Sequence, residues 1–148
     1  MSDAARRAVI AEAESWLNTP FHHEARVKGA GVDCGQLLIG IYGNLGYMPK
    51  DYKMEHYPPD FAMHRDREWY LSIVEEFAKE VPTPLPGDLV LFKWGRLFSH
   101  GAIVIAWPKI IHAWAATRTV CRFDATLNPL AEKPRKFYSP FTEAQPHA

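Results

Sequence analysis

The sequence predicts an α+β fold, and three observations carry that prediction. Apolar residues recur at spacings of three and four up to about residue 79, then gather in short β-rich runs. Helix-start signals stand before the first group. A stiff connector, Pro82, Pro84 and Pro86 ending in Gly87-Asp88, separates the two textures. Helices first and consecutive strands second is the order of an α+β domain, not of a parallel sheet.

The elements follow in order. Residues 4–17 read as a first helix, with Val9, Ala13, Trp16 and Leu17 on one face and Asp3 as cap. Asn18-Thr19-Pro20 ends it, because a residue before proline avoids helical angles. A loop with Gly29 and Gly31 runs to Val32. Asp33 then caps a second helix, with Gln36 at the third helical position. Leu37, Leu38, Ile41, Tyr42 and Leu45 form its apolar stripe. Residues 47–64 look irregular. A third helix is expected over 66–79, capped by Asp66, with Trp69, Ile73 and Phe77 in line. Strands are expected at Leu89 to Trp94, Gly101 to Trp107, Ile110 to Trp114 and Thr119 to Phe123.

The chain of 148 residues has the length of one domain, and its 47% hydrophobic content with five Trp, eight Phe and six Tyr supplies a core. We expect a single domain over 1–148 with a loosely held, proline-containing tail from about residue 128. Arg6-Arg7 and the run from Glu75 to Glu80 read as solvated charge.

Composition excludes several roles. Seventeen basic and seventeen acidic residues cancel, so no broad basic field exists for nucleic acid or an anionic membrane. No stretch approaches the roughly 20 apolar residues of a membrane span. The N-terminal residues lack an apolar signal-peptide core, which leads us to expect synthesis in the cytoplasm without Sec export. Cys34 and Cys121 form no CxxC pair, so a zinc site or redox motif is not indicated.

Cys34 is the residue with a chemical signal. It falls in the first turn of the second helix, where free N–H groups and the helix dipole favour a thiolate and lower the pKa. Gly35 leaves its approach open. A thiolate nucleophile needs a base. His100 opens one predicted strand and His112 sits inside the next, among apolar neighbours where a polar ring needs a partner. Together they supply a base and a group that orients it. A two-residue turn at Pro108-Lys109 would put them on opposite faces, so the pairing requires a longer connection or a bulge. Cys121 reads as a structural thiol.

These residues resemble a known family. Gly31-Val32-Asp33-Cys34, Pro86-Gly87-Asp88-Leu89-Val90-Leu91-Phe92, Ser99-His100-Gly101-Ala102-Ile103 and Ile111-His112-Ala113 resemble, in order, the motifs of the NlpC/P60 cysteine peptidases. Asn18-Thr19-Pro20-Phe21 is similar to the short segment before the family's cysteine. The stretch from Thr19 to Gly29 resembles the phage-type branch found with tail-tip and gene-transfer-agent genes. The resemblance covers roughly residues 5–125. It implies a papain-like α+β fold, with the cysteine helix packed on an antiparallel sheet. It also implies Cys34 as nucleophile, His100 as base and His112 as the orienting residue, with Phe21, His23, Asp33, Gly35 and Ser99 in support. Metal and cofactor are not needed. The implied activity is hydrolysis of peptide bonds in peptidoglycan stem peptides, typically between D-glutamate and a diamino acid. The implied setting is a phage or prophage tail that carries the protein to the wall, with tail proteins as partners. Three positions depart from the family pattern: Gly35-Gln36 replaces Ser-Gly, Phe21 replaces a tyrosine, and His23 replaces a tryptophan. Two alternatives stand beside the peptidase: a non-catalytic tail-assembly module, and a cytoplasmic thiol amidase or transferase.

Overall fold

The computed structural model describes residues 3–59 and 68–141. Three helices pack on one face of a six-stranded antiparallel sheet, as the α+β expectation requires. The elements are α1 (Asp3–Glu14), β1 (Arg26–Val27), β2 (Gly31–Val32), α2 (Cys34–Asn44), α3 (Trp69–Phe77), β3 (Lys79–Val81), β4 (Leu89–Trp94), β5 (Leu97–Ala106), β6 (Lys109–Trp114), β7 (Thr119–Asp124) and β8 (Arg135–Ser139). The large sheet runs β3-β8-β4-β5-β6-β7, and β1 pairs with β2 in a separate ribbon.

α2 is the central helix, and every residue from Gly35 to Gly43 is buried. Its start is the one the sequence specifies: Asp33 Oδ1 accepts the Gln36 N–H at 2.9 Å. Its faces meet Trp16, in the turn after α1, and β5 through Leu38. A side chain at Gly40 would come within 2.6 Å of the Trp16 ring, and one at Gly101 within 2.7 Å of Leu38, so glycine permits both close approaches.

The sheet separates two apolar layers. Leu89, Leu91, Ile103, Ile111 and Val120 face the helices. Val90, Phe92, Ala102, Val104 and Ile110 face the other way, under Ala125 and Leu130.

Four expectations are corrected. The first helix ends at Glu14 rather than 17, and turns carry Trp16 inward. The third starts at Trp69 and ends at Phe77 because Lys79 already pairs with Ser139 as a strand; Asp66 lies outside the described residues. The tail from about 128 is not loose up to Phe141: β8 lies between β3 and β4 inside the sheet, and Tyr138 and Phe141 are buried. Arg6 is not solvated. Its guanidinium is buried against Asp88 at 2.9 Å, donates to the Pro86 carbonyl at 3.0 Å, and covers the Phe141 ring. That pair ties α1 to the connector before β4.

The segment Asn18–Phe21 covers the start of the free edge of β7. Phe21 N–H donates to Arg118 O, and Val120 exchanges bonds with Asn18 and Thr19. An edge covered in this way cannot pair with another chain, and the same contact sets Phe21 beside the start of α2.

Candidate active site

The cysteine stands at the first position of α2. Behind it, β6 pairs with β5 only from Ile103 onward. Toward Leu97, β5 therefore has backbone groups on that side without a strand partner. The Cys34 sulfur fills this seam. Its thiol donates to the Ser99 carbonyl at 3.6 Å, while the Gly101 and Gly35 N–H groups and the Tyr70 hydroxyl, at 3.9 Å, donate to it.

The thiol is not acidified by its helix end. Burial, and then the Asp33 carboxylate, push it up to about 12. The lowered pKa expected from the sequence is thus corrected: desolvation outweighs the helix dipole. At neutral pH the group is a thiol.

A β-bulge decides where the histidines point. Ile103 faces Ile111, but Ala106 faces Lys109, so Ile105 is an extra residue in β5. The bulge brings His112 into line with Ala102 and hence onto the same face as His100. His100 Nε2 then lies 2.8 Å from His112 Nδ1. Phe92 and Trp94 surround the His100 ring, and Trp114 and Phe123 surround that of His112. Burial lowers His100 to about 4, and burial with the neighbouring ring lowers His112 to about 3. Both rings are neutral at pH 7.

Cys34 and the pair are not in direct contact. Gly101 points at Leu38 and Tyr70 on the helix side, so the adjacent His100 projects to the opposite face of β5. No hydrogen bond joins either imidazole to the sulfur among the described residues. His100 Nδ1 has no partner among them either.

The supporting residues named from the sequence converge on Cys34. Phe21, His23, Asp33, Gly35 and Ser99 line one cleft with it, of about 160 Å³. Asp33 is buried and does more than cap the helix. Its Oδ2 accepts the Glu24 N–H at 2.8 Å and the Tyr57 hydroxyl. Glu24 sits at φ 64, a left-handed conformation that the Asp33 bond holds. His23 Nε2 lies 2.7 Å from the Tyr57 carbonyl.

Five residues of the cleft were not legible in the sequence: Met54, Tyr57, Pro59, Tyr70 and Ala115. Tyr57 and Met54 belong to the irregular strap at residues 52–59. That strap is anchored by Arg26 to the Tyr52 carbonyl at 2.7 Å and by Glu24 to His56 at 3.0 Å. Tyr70 supplies a hydroxyl at the sulfur although Phe21 has none. It can approach because Gly35 lacks a side chain: a Cβ there would lie 3.2 Å from the Tyr70 ring and 3.3 Å from Met54.

Cys121 is directly opposite His112 on β7, with its sulfur 3.5 Å from the Thr117 hydroxyl. The described residues contain no cluster suited to a metal ion, and no helix among them is long and apolar enough to cross a membrane.

No protein-family model and no curated protein matches this sequence. Solved structures do match its fold, and those neighbours are NlpC/P60 domains. The peptidoglycan hydrolase RipB of Mycobacterium tuberculosis superposes with a TM-score of 0.64 at 14% identity, over 94% of this chain and 66% of its own. NlpC1 of Trichomonas vaginalis gives 0.63 at 18% identity over 91% of this chain, which spans only 43% of that protein. RipD of M. tuberculosis, described as a non-catalytic domain adapted to peptidoglycan binding, gives 0.58 at 14% identity over 93% of this chain and 98% of its own. At these identities the likeness is one of fold.

Proposed function

We propose that this protein is a cysteine peptidase that hydrolyses peptide bonds in peptidoglycan stem peptides. The observation that carries the proposal is the buried pair His100–His112, at 2.8 Å, beside a helix-start cysteine whose sulfur lies in an open seam of the sheet. Two neutral imidazoles buried together cost stability, and groups perturbed in this way cluster at functional sites.

The groups have distinct tasks. For His100 to act as base through its free Nδ1, its proton must sit on Nε2 and be donated to His112 Nδ1. With its own proton on Nε2, which has no partner among the described residues, His112 accepts that bond and favours the useful tautomer. Because the His100 ring projects from the other face of β5, it must swing across the strand edge at the seam for Nδ1 to take the thiol proton when substrate displaces the Ser99 contact. As Sγ attacks the amide carbon, its proton passes to His100 Nδ1. The oxyanion forms beside the first N–H groups of α2. Asp33 occupies the Gln36 N–H and the Gly35 N–H donates to the sulfur, so that of Cys34 remains for this role. The imidazolium then protonates the leaving amine, the C–N bond breaks, and a thioester remains. Water, deprotonated by His100, cleaves the thioester, and the thiol recovers its proton.

Because the thiol sits near 12 and the base near 4, the resting pair is neutral. Proton transfer accompanies attack rather than preceding it.

Within that reading, the bond between D-glutamate and a diamino acid is the proposed target. The protein is proposed to ride in a phage or prophage tail, with tail proteins as neighbours. The stretch from Thr19 to Gly29, similar to the phage-type branch, supports this setting.

One observation favours a second reading. The unactivated thiol without an imidazole partner also suits a non-catalytic wall-binding or tail-assembly module, the kind of adaptation ascribed to RipD. Incubation of the purified protein with defined stem peptides, followed by mass spectrometry, separates the two. Cleavage lost in Cys34→Ala supports the peptidase. Binding without cleavage, unchanged in Cys34→Ala, supports the module.

A further inference from the structure

Behind the Cys34 cleft is a second pocket whose accessible lining is entirely apolar. Leu38 and Ile39 of α2 and Ile73, Val74 and Phe77 of α3 form most of its wall. It offers about 50 Å³, against about 160 Å³ in the cleft. Gly35, Met54 and Tyr70 line both spaces, so they are the partition between them.

That partition is thin and has one movable part. Gly35 has no side chain, and the Tyr70 hydroxyl is held at the Cys34 sulfur. Met54 is an unbranched thioether on a strap with neither helix nor strand. An apolar groove beside the cleft leaves its lining facing water unless an apolar group fills it.

We propose that this pocket is a second substrate subsite, which takes a short alkyl side chain of the peptide held at Cys34. The ligand's being a peptide rests on the peptidase reading above. Size favours a small group: benzene fills an apolar cavity of roughly 150 Å³, and the 50 Å³ here suits a methyl or isopropyl group better than a ring. Chemistry limits it further. A wall without polar surface leaves a carboxylate or ammonium unpaired. Rotation of Met54 opens the way from the cleft.

Methyl NMR of the full chain labelled at Met and Ile tests this without any hydrolysis. Isobutyramide, a neutral amide with an isopropyl arm, should shift the Met54 and Ile73 methyl signals saturably. Succinamate, with a charged arm, should not. Val74→Phe fills the pocket and should weaken isobutyramide binding about tenfold or more. If that variant does not fold, Ala78→Val serves with a smaller loss. A folded wild-type protein with no saturable shift, or filled variants that bind as tightly as the parent, would overturn the subsite. Binding of isobutyramide by a protein that cleaves no stem peptide would overturn the peptidase reading alone. Cleavage without such binding would overturn the subsite alone.

Discussion

His100 Nε2 lies 2.8 Å from His112 Nδ1 because β5 carries one residue more than its partner strand. Ile105 is that residue. Without it, the turn at Trp107-Pro108 would carry its register through the hairpin and set His112 among the residues that face α2. Deleting Ile105 should therefore turn the His112 imidazole toward the helix layer and break the pair. A buried polar group without its partner costs roughly 1–3 kcal/mol, so the deletion should lower the melting temperature by several degrees and abolish hydrolysis. A deletion variant as stable and active as the parent would show that the register is set elsewhere.

Acid should destabilise the protein before it protonates the pair. Burial holds His100 near 4 and His112 near 3 in the folded state, while an unfolded histidine titrates near 6.5. Between those values the unfolded chain binds more protons, so unfolding free energy falls as pH drops from about 6.5 to about 4. The His100 shift alone corresponds to roughly 3 kcal/mol. Urea melts across this range should show the loss. His112→Leu should flatten the curve, and a parent curve with no slope between pH 7 and 4 would refute the buried neutral pair.

The same residues show how much of the molecule can be read from its sequence. The start of α2 was legible because its signals are local: Asp33 and Gln36 sit within one turn and need no other part of the chain. The strands β4, β6 and β7 were legible from their apolar runs and the turns between them. β8 was not. Its residues Arg-Lys-Phe-Tyr-Ser have mixed polarity and stand between Pro134 and Pro140, and its partners β3 and β4 are remote in sequence. The cleft divides in the same way. Phe21, Asp33 and Gly35 lie close to Cys34 in sequence. Tyr57 reaches it through bonds to Asp33 and His23, and Tyr70 through a gap that Gly35 leaves. Such contacts have no one-dimensional signature. Arg6 was misread because its partner Asp88 is 82 positions away in sequence.

Asp33 should matter more for stability than an ordinary cap. A cap contributes about 1 kcal/mol, but this carboxylate also accepts the Glu24 N–H and the Tyr57 hydroxyl while buried. Asp33→Ala removes the acceptor that all three donors share and releases the strap at Tyr57. The expected loss is about 2–4 kcal/mol, with faster proteolysis at residues 52–59. Asp33→Asn keeps an acceptor and should lose less. Equal, small losses in both variants would mean that water replaces the carboxylate.

Tyr70 and Met54 should couple to residue 35. A Cβ at that position meets Tyr70 at 3.2 Å and Met54 at 3.3 Å. Gly35→Ala should therefore cost about 1–3 kcal/mol through crowding, offset in part by the better helix propensity of alanine. Met54→Ala should relieve most of that crowding, so the double variant should be more stable than the two single losses predict. Additive losses in a double-mutant cycle would show that the three groups do not press on one another.

The neutral state of thiol and base sets the pH dependence of catalysis. With His100 near 4 and Cys34 near 12, kcat/KM on stem peptides should rise as pH increases through about 4 and stay high past neutrality. The rising limb is loss of the His100 proton, which frees Nδ1 to accept that of the thiol. An ion pair behaves otherwise: its thiolate forms at mildly acidic pH, and alkylation by iodoacetamide levels off below pH 8. Here alkylation of Cys34 should keep rising through pH 10. Mutants should follow the same division of tasks. Cys34→Ala removes the nucleophile and His100→Ala the base, so each should abolish cleavage, and the double variant should be no worse than either because the groups act as a unit. His112→Ala should retain a fraction of the rate, because the His100 tautomer is then no longer fixed but remains accessible. Cys121→Ser, across the strand from His112, should leave kcat/KM within a few-fold of the parent. An active Cys34→Ala protein would remove the cysteine mechanism, and a plateau of alkylation below pH 8 would replace the neutral pair with a thiolate–imidazolium one.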